Sequence, residues 1–181
     1  MAYADLLLAW NRRINLISRA DEPYLWMRHI DDSLQLLTLL PADLGRAIDV
    51  GAGAGFPGLV ISIATGIPFH LIESDQRKAA FLREAVRVTA APAMVHAVRA
   101  EVVDIPAVGV VTARALAPLR QLLAITHRFI APGGFALFPK GASVEQELTE
   151  ARAEWNMRVE RFPSRTHPNG AILKLSEVER A

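Results

Sequence analysis

Cysteine is absent from the 181-residue sequence. Its absence excludes a disulfide framework, thiolate metal sites and a thiol nucleophile, and it accords with a reducing, cytoplasmic compartment. Long apolar runs are missing as well. Leu34 to Leu40 is broken by Gln35 and Thr38, and nothing approaches the ~20 residues a membrane-spanning helix needs. The opening Met1-Ala2-Tyr3-Ala4-Asp5 has no basic n-region and no small-residue cleavage site, so no signal peptide is expected. Neither sign of charge dominates. The formal net charge is +1, so a polyanion must be met by local patches rather than by the field of the whole molecule. The 5 histidines have no metal-ligand spacing, and neither a metal nor a membrane is expected as a partner. What is present is 51% hydrophobic and 22% charged, the balance of a globular chain of about one domain.

The stretch around which the rest is arranged runs Ile48-Asp49-Val50-Gly51-Ala52-Gly53-Ala54-Gly55-Phe56-Pro57-Gly58. Ala47 to Val50 reads as a strand, and Gly58 to Ala64 suits a helix, with Pro57 at its first position. Glycines between them let the backbone turn tightly and let a ligand come close. The helix end would face an anionic group with free N–H donors. Two ligand classes fit this turn. Gly53-x-Gly55-x-x-Gly58 matches the dinucleotide fingerprint, but that register leaves Asp49 and Gly51 inside the strand, where each is costly. Beginning the turn at Gly51 ends the strand at Val50 and sets Asp49 at its mouth, able to accept from an ammonium group. The resulting Asp-x-Gly-x-Gly-x-Gly resembles motif I of the S-adenosylmethionine-dependent methyltransferases. Phe69 to Glu73 supplies a second anchor, an apolar strand ending in an acid that suits the hydroxyls of a ribose.

Residues 3 to 40 read as helical, with Asp21 and Pro23 as the cap and first turn of a second helix. From Arg46 the pattern alternates. Strands are predicted at 46–50, 69–73, 94–98, 108–113 and 134–138, and helices at 57–64, 76–89, 118–129 and 143–154. Asp75 and Ser143 are placed to cap the helices they precede. Strands separated by helix-length segments imply a doubly wound, mostly parallel sheet. Two further extended pieces, 156–161 and 171–176, flank a turn-rich segment and are expected to pair antiparallel at one edge. The fold class is therefore α/β: a small helical prefix, residues 1–45, followed by a Rossmann-like core, residues 46–181.

Ligands of such sheets bind beyond the carboxyl ends of the strands. The loop after 98 offers Ala100 and Glu101 toward an adenine amino group. The loop after 113 offers Arg114, able to clamp a carboxylate or phosphate. The methyl acceptor is narrowed by what is missing. Cytosine C5 chemistry needs the absent thiol, and the amine-type Asn/Asp-Pro-Pro-aromatic loop is replaced by Ala113-Arg114-Ala115-Leu116. A ring nitrogen with its own lone pair needs neither. His70, His96 and His127 are expected as surface or strand residues. In the prefix, Asn11, Arg12, Arg13 and Asn15, then Arg28 and His29, mix cations with amides and aromatics, a composition that positions phosphates and meets unstacked bases. An amphipathic helix with Trp10 in the core explains the same residues.

Trp-Asn-x-x-Ile-Asn-Leu, Arg-His-Ile-x-Asp-Ser, Asp-Val-Gly-x-Gly-x-Gly-Phe-Pro-Gly, Arg114-Ala115 and Lys140-Gly141 together resemble the glucose-inhibited division protein B family over nearly the whole chain. Its members are guanine-N7 methyltransferases of small-subunit ribosomal RNA. The resemblance implies a class I methyltransferase fold, S-adenosyl-L-methionine as cofactor and a 530-loop type guanine of 16S ribosomal RNA as target. It implies cofactor contacts at Gly51, Phe56, Ala100, Glu101 and Arg114, beside Asp49, Gly53, Gly55 and Glu73, and it adds Lys140 to the RNA side. No general base is expected, and the protein is expected to act as a monomer. The chain departs from the pattern in the short stretch before Trp10 and at Ile17-Ser18, where a threonine is common. A methyltransferase of small molecules, or a cofactor-binding RNA assembly factor without turnover, are the other readings.

Overall fold

The computed structural model describes residues 2–181. One seven-stranded sheet forms from β1 (Ala47–Val50), β2 (Phe69–Ile72), β3 (Ala93–His96), β4 (Val108–Thr112), β5 (Ile130–Lys140), β6 (Trp155–Pro163) and β7 (Ala171–Arg180), in the order β3-β2-β1-β4-β5-β7-β6. Strands β1 to β5 are parallel. β7 runs antiparallel between β5 and β6, so the expected hairpin forms at the edge with β6 outermost. The central strand β1 shows no alternation of buried and exposed positions, Ala47 to Val50 being buried throughout, because helices cover both faces. The chain leaves β1 for β2 and β3 on one side and returns to β4 on the other. That reversal opens a crevice at the carboxyl ends of β1 and β4.

The helices are α1 (Ala2–Asn11), α2 (Asp31–Leu34), α3 (Gly58–Thr65), α4 (Gln76–Thr89), α5 (Leu119–Thr126) and α6 (Val144–Ala151). α4 forms where predicted because its apolar residues fall on one face. Ala79, Phe81, Leu82 and Ala85 are buried, and Asp75 Oδ1 accepts from the Arg77 and Lys78 N–H groups at 2.8 and 3.2 Å. Replacing Phe81 with alanine would cost about 3–5 kcal/mol through lost transfer energy and the cavity left behind. Ser143 does not cap α6. Its hydroxyl donates to the Glu147 carboxylate at 2.8 Å, and its backbone, at φ −78 and ψ 6, lacks the extended conformation from which a serine oxygen reaches the first helical N–H groups.

The prefix departs furthest from expectation. After α1 come a 3-10 turn at Arg19–Tyr24, a π-helical turn at Trp26–Ile30, the short α2 and another 3-10 turn at Gln35–Leu39. Ser18, not Asp21, caps the first of these, its hydroxyl accepting from Asp21 N at 3.2 Å. Pro23 lies inside that turn, where its missing N–H prevents a regular α-helix. The prefix is nonetheless part of the core. Tyr3, Leu7 and Leu36 pack with Leu59, Phe69 and Phe81 on one face of the sheet, and Trp10 meets Phe81 edge-on at 5.8 Å. The opposite face packs Ile48, Leu119, Phe129 and Trp155. No helix among the described residues is long and apolar enough to cross a membrane.

Candidate active site

The glycine turn closes by backbone bonding. Gly51 N and Ala52 N both donate to Ile72 O, at 2.9 and 3.0 Å. Gly51 does so at φ +70, a conformation that residues with a Cβ avoid. Asp49 occupies a different place from the one expected. It does not stand at the mouth of the strand but is fully buried. Its Oδ2 accepts from Gly58 N at 3.1 Å and its Oδ1 from the Thr112 hydroxyl at 2.6 Å. α3 packs directly across it: a Cβ on Gly58 would collide with Asp49 Cβ. Asp49 therefore ties the start of α3 to β4. Burial pushes its carboxyl up to about 7, against the hydrogen bonds from Thr112 and Gly58.

Glu73 lies at the end of β2 as predicted and reaches back to the turn. Its Oε2 accepts from Gly53 N at 2.8 Å and its Oε1 from Asp75 N at 2.7 Å. Each carboxylate oxygen keeps a second lone pair. Beside it opens a cavity of about 230 Å³, lined by Val50, Gly51, Ile72, Ser74, Val98, Arg99, Ala100, Glu101, Leu116 and Ile125. Gly51, Ala100 and Glu101 are thus brought to one cavity. Gly53 (φ +55) and Gly55 (φ +96) complete the turn beneath it.

Arg114 and Phe56 belong elsewhere. The sequence places Arg114 in the cleft toward a ligand, yet its Nη1 donates to Asp32 Oδ2 at 2.9 Å and to Arg28 O at 3.1 Å. Its Nη2 donates to His29 Nδ1 at 2.8 Å. The guanidinium lies 4.8 Å from the Phe56 ring centroid, while the His29 imidazole stacks on the same ring at 4.9 Å. Tyr3 meets Phe56 edge-on at 6.0 Å, and its hydroxyl donates to Ala54 O. Phe56 is therefore sheathed by protein and is 5% exposed. Asp32 also accepts from Thr166 Oγ1 at 2.5 Å and from Gln35 Nε2 at 2.8 Å, so the prefix, β4 and the β6–β7 turn meet here. These groups line a second cavity of about 560 Å³, with Arg28, His29, Asp32, Arg114, Leu116, Lys140 and His167 in its wall. Burial, then the charge of Arg114, lowers the His29 imidazole to about 4.

Three residues predicted to meet RNA, Asn11 and His29 of the prefix and Lys140 of β5, are engaged in the fold instead. Asn11 is buried; its Oδ1 accepts from Leu16 N and Ile17 N at 2.9 and 3.0 Å, and its Nδ2 donates to Glu22. An amide at the end of a helix stitches the following turn better than water would. Lys140 donates to Glu147 Oε2 at 2.8 Å and to Ala117 O at 3.0 Å, and its side chain is 9% exposed, so its charge is already answered. His29 is stacked and bonded inside. Arg12, Arg13 and Asn15 are exposed. Arg28 pairs with Asp21 and keeps 50% of its side chain in solvent. Arg13 and Asn15 share a cavity of about 280 Å³ with Asp75, Arg77 and Lys78, two cations the sequence did not single out. Nor did it single out Tyr3, Asp32 as the clamp on Arg114, or Leu116. Asp32 carried a signal within the Arg-His-Ile-x-Asp-Ser run, whereas the partners of Arg77 and Lys78 lie on a distant loop. His70 and His96 pair with each other at 2.8 Å, and His127 bonds Leu123 O.

The model of the GidB family, described as rRNA small subunit methyltransferase G, matches residues 1–169. Ribosomal RNA small subunit methyltransferase G of Rhodospirillum centenum is 57% identical over 98% of this chain and 82% of its own length. The same-named protein of Granulibacter bethesdensis is 54% identical over 98% and 84%. Among solved structures, a mutant of MtNAS in complex with S-adenosylmethionine superposes with a TM-score of 0.64 at 17% identity, over 95% of this chain and 72% of that one. A putative O-methyltransferase from Klebsiella pneumoniae gives 0.63 at 12% identity, over 97% and 90%. These two likenesses concern the fold. With motif I closing the turn after β1, an acid ending β2 and the family pattern running almost from end to end, the chain belongs to the GidB family, rRNA small subunit methyltransferase G.

Proposed function

We propose that this protein transfers a methyl group from S-adenosyl-L-methionine to N7 of a guanine in 16S ribosomal RNA, at a 530-loop type target. The observation that carries this reading is the pair of cavities meeting at the carboxyl end of β4. The smaller lies against the glycine turn and the larger faces the prefix. The residues present fit the methyl donor. Gly51 approaches without a Cβ, Ile72, Val98 and Ile125 give apolar walls, and Ala100 with Glu101 close the far end, while Glu73, between Ile72 and Ser74 of the lining, keeps lone pairs free. When bound, that donor supplies an electrophilic methyl carbon on a sulfonium.

The chain's own part is to bind, orient and exclude. Arg114, held by Asp32 and His29, forms one wall of the acceptor pocket. Guanine N7 attacks with an in-plane lone pair and has no proton to lose, so alignment rather than proton transfer sets the rate. His29 accords with this, because a nitrogen already accepting from Arg114 and an imidazole held at about 4 make a poor base. Arg13 and Asn15 with Arg77 and Lys78, next to exposed Arg12, give the prefix a basic patch suited to phosphates, and Arg28 adds a half-exposed cation at the larger cavity. In this reading residues 1–45 face the RNA, and the protein works as a cytoplasmic monomer without a metal ion.

The test is to incubate the protein and radiolabelled donor with small subunits, and with naked 16S ribosomal RNA, from cells lacking the gene, and to map the product. One N7-methylguanine in a single loop is expected. Label on a small molecule only, or on a base amine, would end this reading.

A further inference from the structure

The residue after Ala115 is placed in an unusual way. Ala115 has φ +50, a left-handed conformation that an L-residue with a Cβ adopts only when its surroundings hold it there. The side chains on either side of it part company. Arg114 goes to Asp32 and the prefix. Leu116 turns back over the glycine turn, so that a Cβ added to Gly51 would stand 2.7 Å from Leu116 Cδ1. Among the described residues, Leu116 alone lines both the smaller and the larger cavity. It is also 40% exposed. A leucine left in water at that junction gains burial only when the junction is filled.

We propose that Leu116 is the positioning residue of the transfer, packing against the methyl donor on one side and against the guanine on the other. The proposal rests on the methyltransferase reading above. An in-plane nucleophile must meet the methyl carbon along one line, so a base that tilts or slides out of register loses the attack. A misplacement of about 1 Å can lower a rate on the order of 100-fold. An aliphatic wall sets this register by shape alone. It also keeps water out of the gap without adding a charge beside the sulfonium. The backbone at Ala115 fixes the direction of that wall, and the lack of a Cβ at Gly51 leaves room for it.

The experiment measures three quantities for wild type, Leu116→Ala and Leu116→Met: the single-turnover methylation rate with both ligands saturating, the affinity for S-adenosylhomocysteine, and the affinity for the RNA substrate. Leu116→Ala is expected to slow the saturated rate about tenfold or more while each affinity changes less than about threefold, and Leu116→Met is expected to restore most of the rate. Leu116→Thr serves as a second truncation should the alanine protein fail to fold. An unchanged rate in the truncated protein overturns the proposal. So does a methionine variant as slow as the alanine one. A wild-type protein that binds S-adenosylhomocysteine and RNA but methylates nothing overturns the underlying reading, and the proposal with it.

Discussion

His29 Nδ1 lies 2.8 Å from Arg114 Nη2. A guanidinium only donates, so the imidazole accepts there and carries its proton on Nε2. A second proton would have to go on Nδ1, against the N–H of the Arg114 guanidinium. Burial first, and Arg114 next, hold the ring at about 4, so it stays neutral throughout the working range. The predicted single-turnover rate is therefore nearly flat from about pH 6.5 to 8.5, and His29→Gln should keep that flatness even if RNA affinity falls. A wild-type rate that climbs tenfold per pH unit through this range, with the limb lost in His29→Gln, would return the histidine to the role of base.

Asp49 and His29 pull stability in opposite directions with pH. Asp49 sits at about 7 when folded against an ordinary 3.8, so the folded chain holds this proton more tightly than the unfolded one. Its contribution is complete below 3.8 and declines as pH rises toward 7, by about 1.36 kcal/mol per unit at most. His29, lowered from 6.5 to about 4, contributes fully above 6.5 and loses that contribution as pH falls. Asp49→Asn retains an acceptor for Gly58 N and removes the first effect. Urea unfolding should show the variant gaining on wild type between about pH 5 and 8 by a few kcal/mol. A gap independent of pH would mean that Asp49 titrates normally.

Glu73→Ala is predicted to weaken S-adenosylhomocysteine binding on the order of tenfold or more. A charged hydrogen bond contributes about 1.5–3 kcal/mol, and the same carboxylate anchors Gly53 N. Nicotinamide dinucleotides should bind far more weakly to wild type. Calorimetry decides; NADH binding as tight as that of S-adenosylhomocysteine would reassign the turn.

Replacing exposed Arg12 and Arg13 with alanine should lower RNA affinity and flatten its salt dependence by roughly 0.7–0.9 for each phosphate no longer neutralised, with cofactor affinity unchanged. If the slope stays put, these arginines are a solvated surface.

Lys140→Ala should behave differently. It strands Glu147, whose carboxyl burial alone would raise but which Lys140 and Ser143 hold below its ordinary value. A cost of about 3–5 kcal/mol is expected for a fully buried pair and somewhat less here, with the salt slope of RNA binding intact. A reduced slope with unchanged melting would restore Lys140 to the RNA surface.

The legible parts of this molecule are those with a local cause. α4 is readable because four apolar positions and one capping acid lie within 15 residues of sequence. The glycine turn is readable because no other composition turns that tightly. Asp49 is not, since only the approach of Gly58 decides whether that acid faces a ligand or a helix. Lys140 and Arg114 fail to read for a related reason. A cation is free or spent according to an acid elsewhere in the chain, and Asp32 stands 82 positions from Arg114. The prefix reads as helical because its leucines keep helical spacing. Pro23 and the side-chain bonds of Asn11 and Ser18 interrupt it without disturbing that spacing.

The bond between Asp32 and Thr166 spans 134 positions. The larger cavity therefore draws on nearly the first and nearly the last elements to leave the ribosome. The glycine turn needs only β1, β2 and β4, and can close while the chain is still being made. Loss of the residues after Pro163, by nonsense codon or protease, would remove the wall that Thr166 and His167 supply. It would also take β7 out from between β5 and β6, and with it Leu173 and Leu175 from the core.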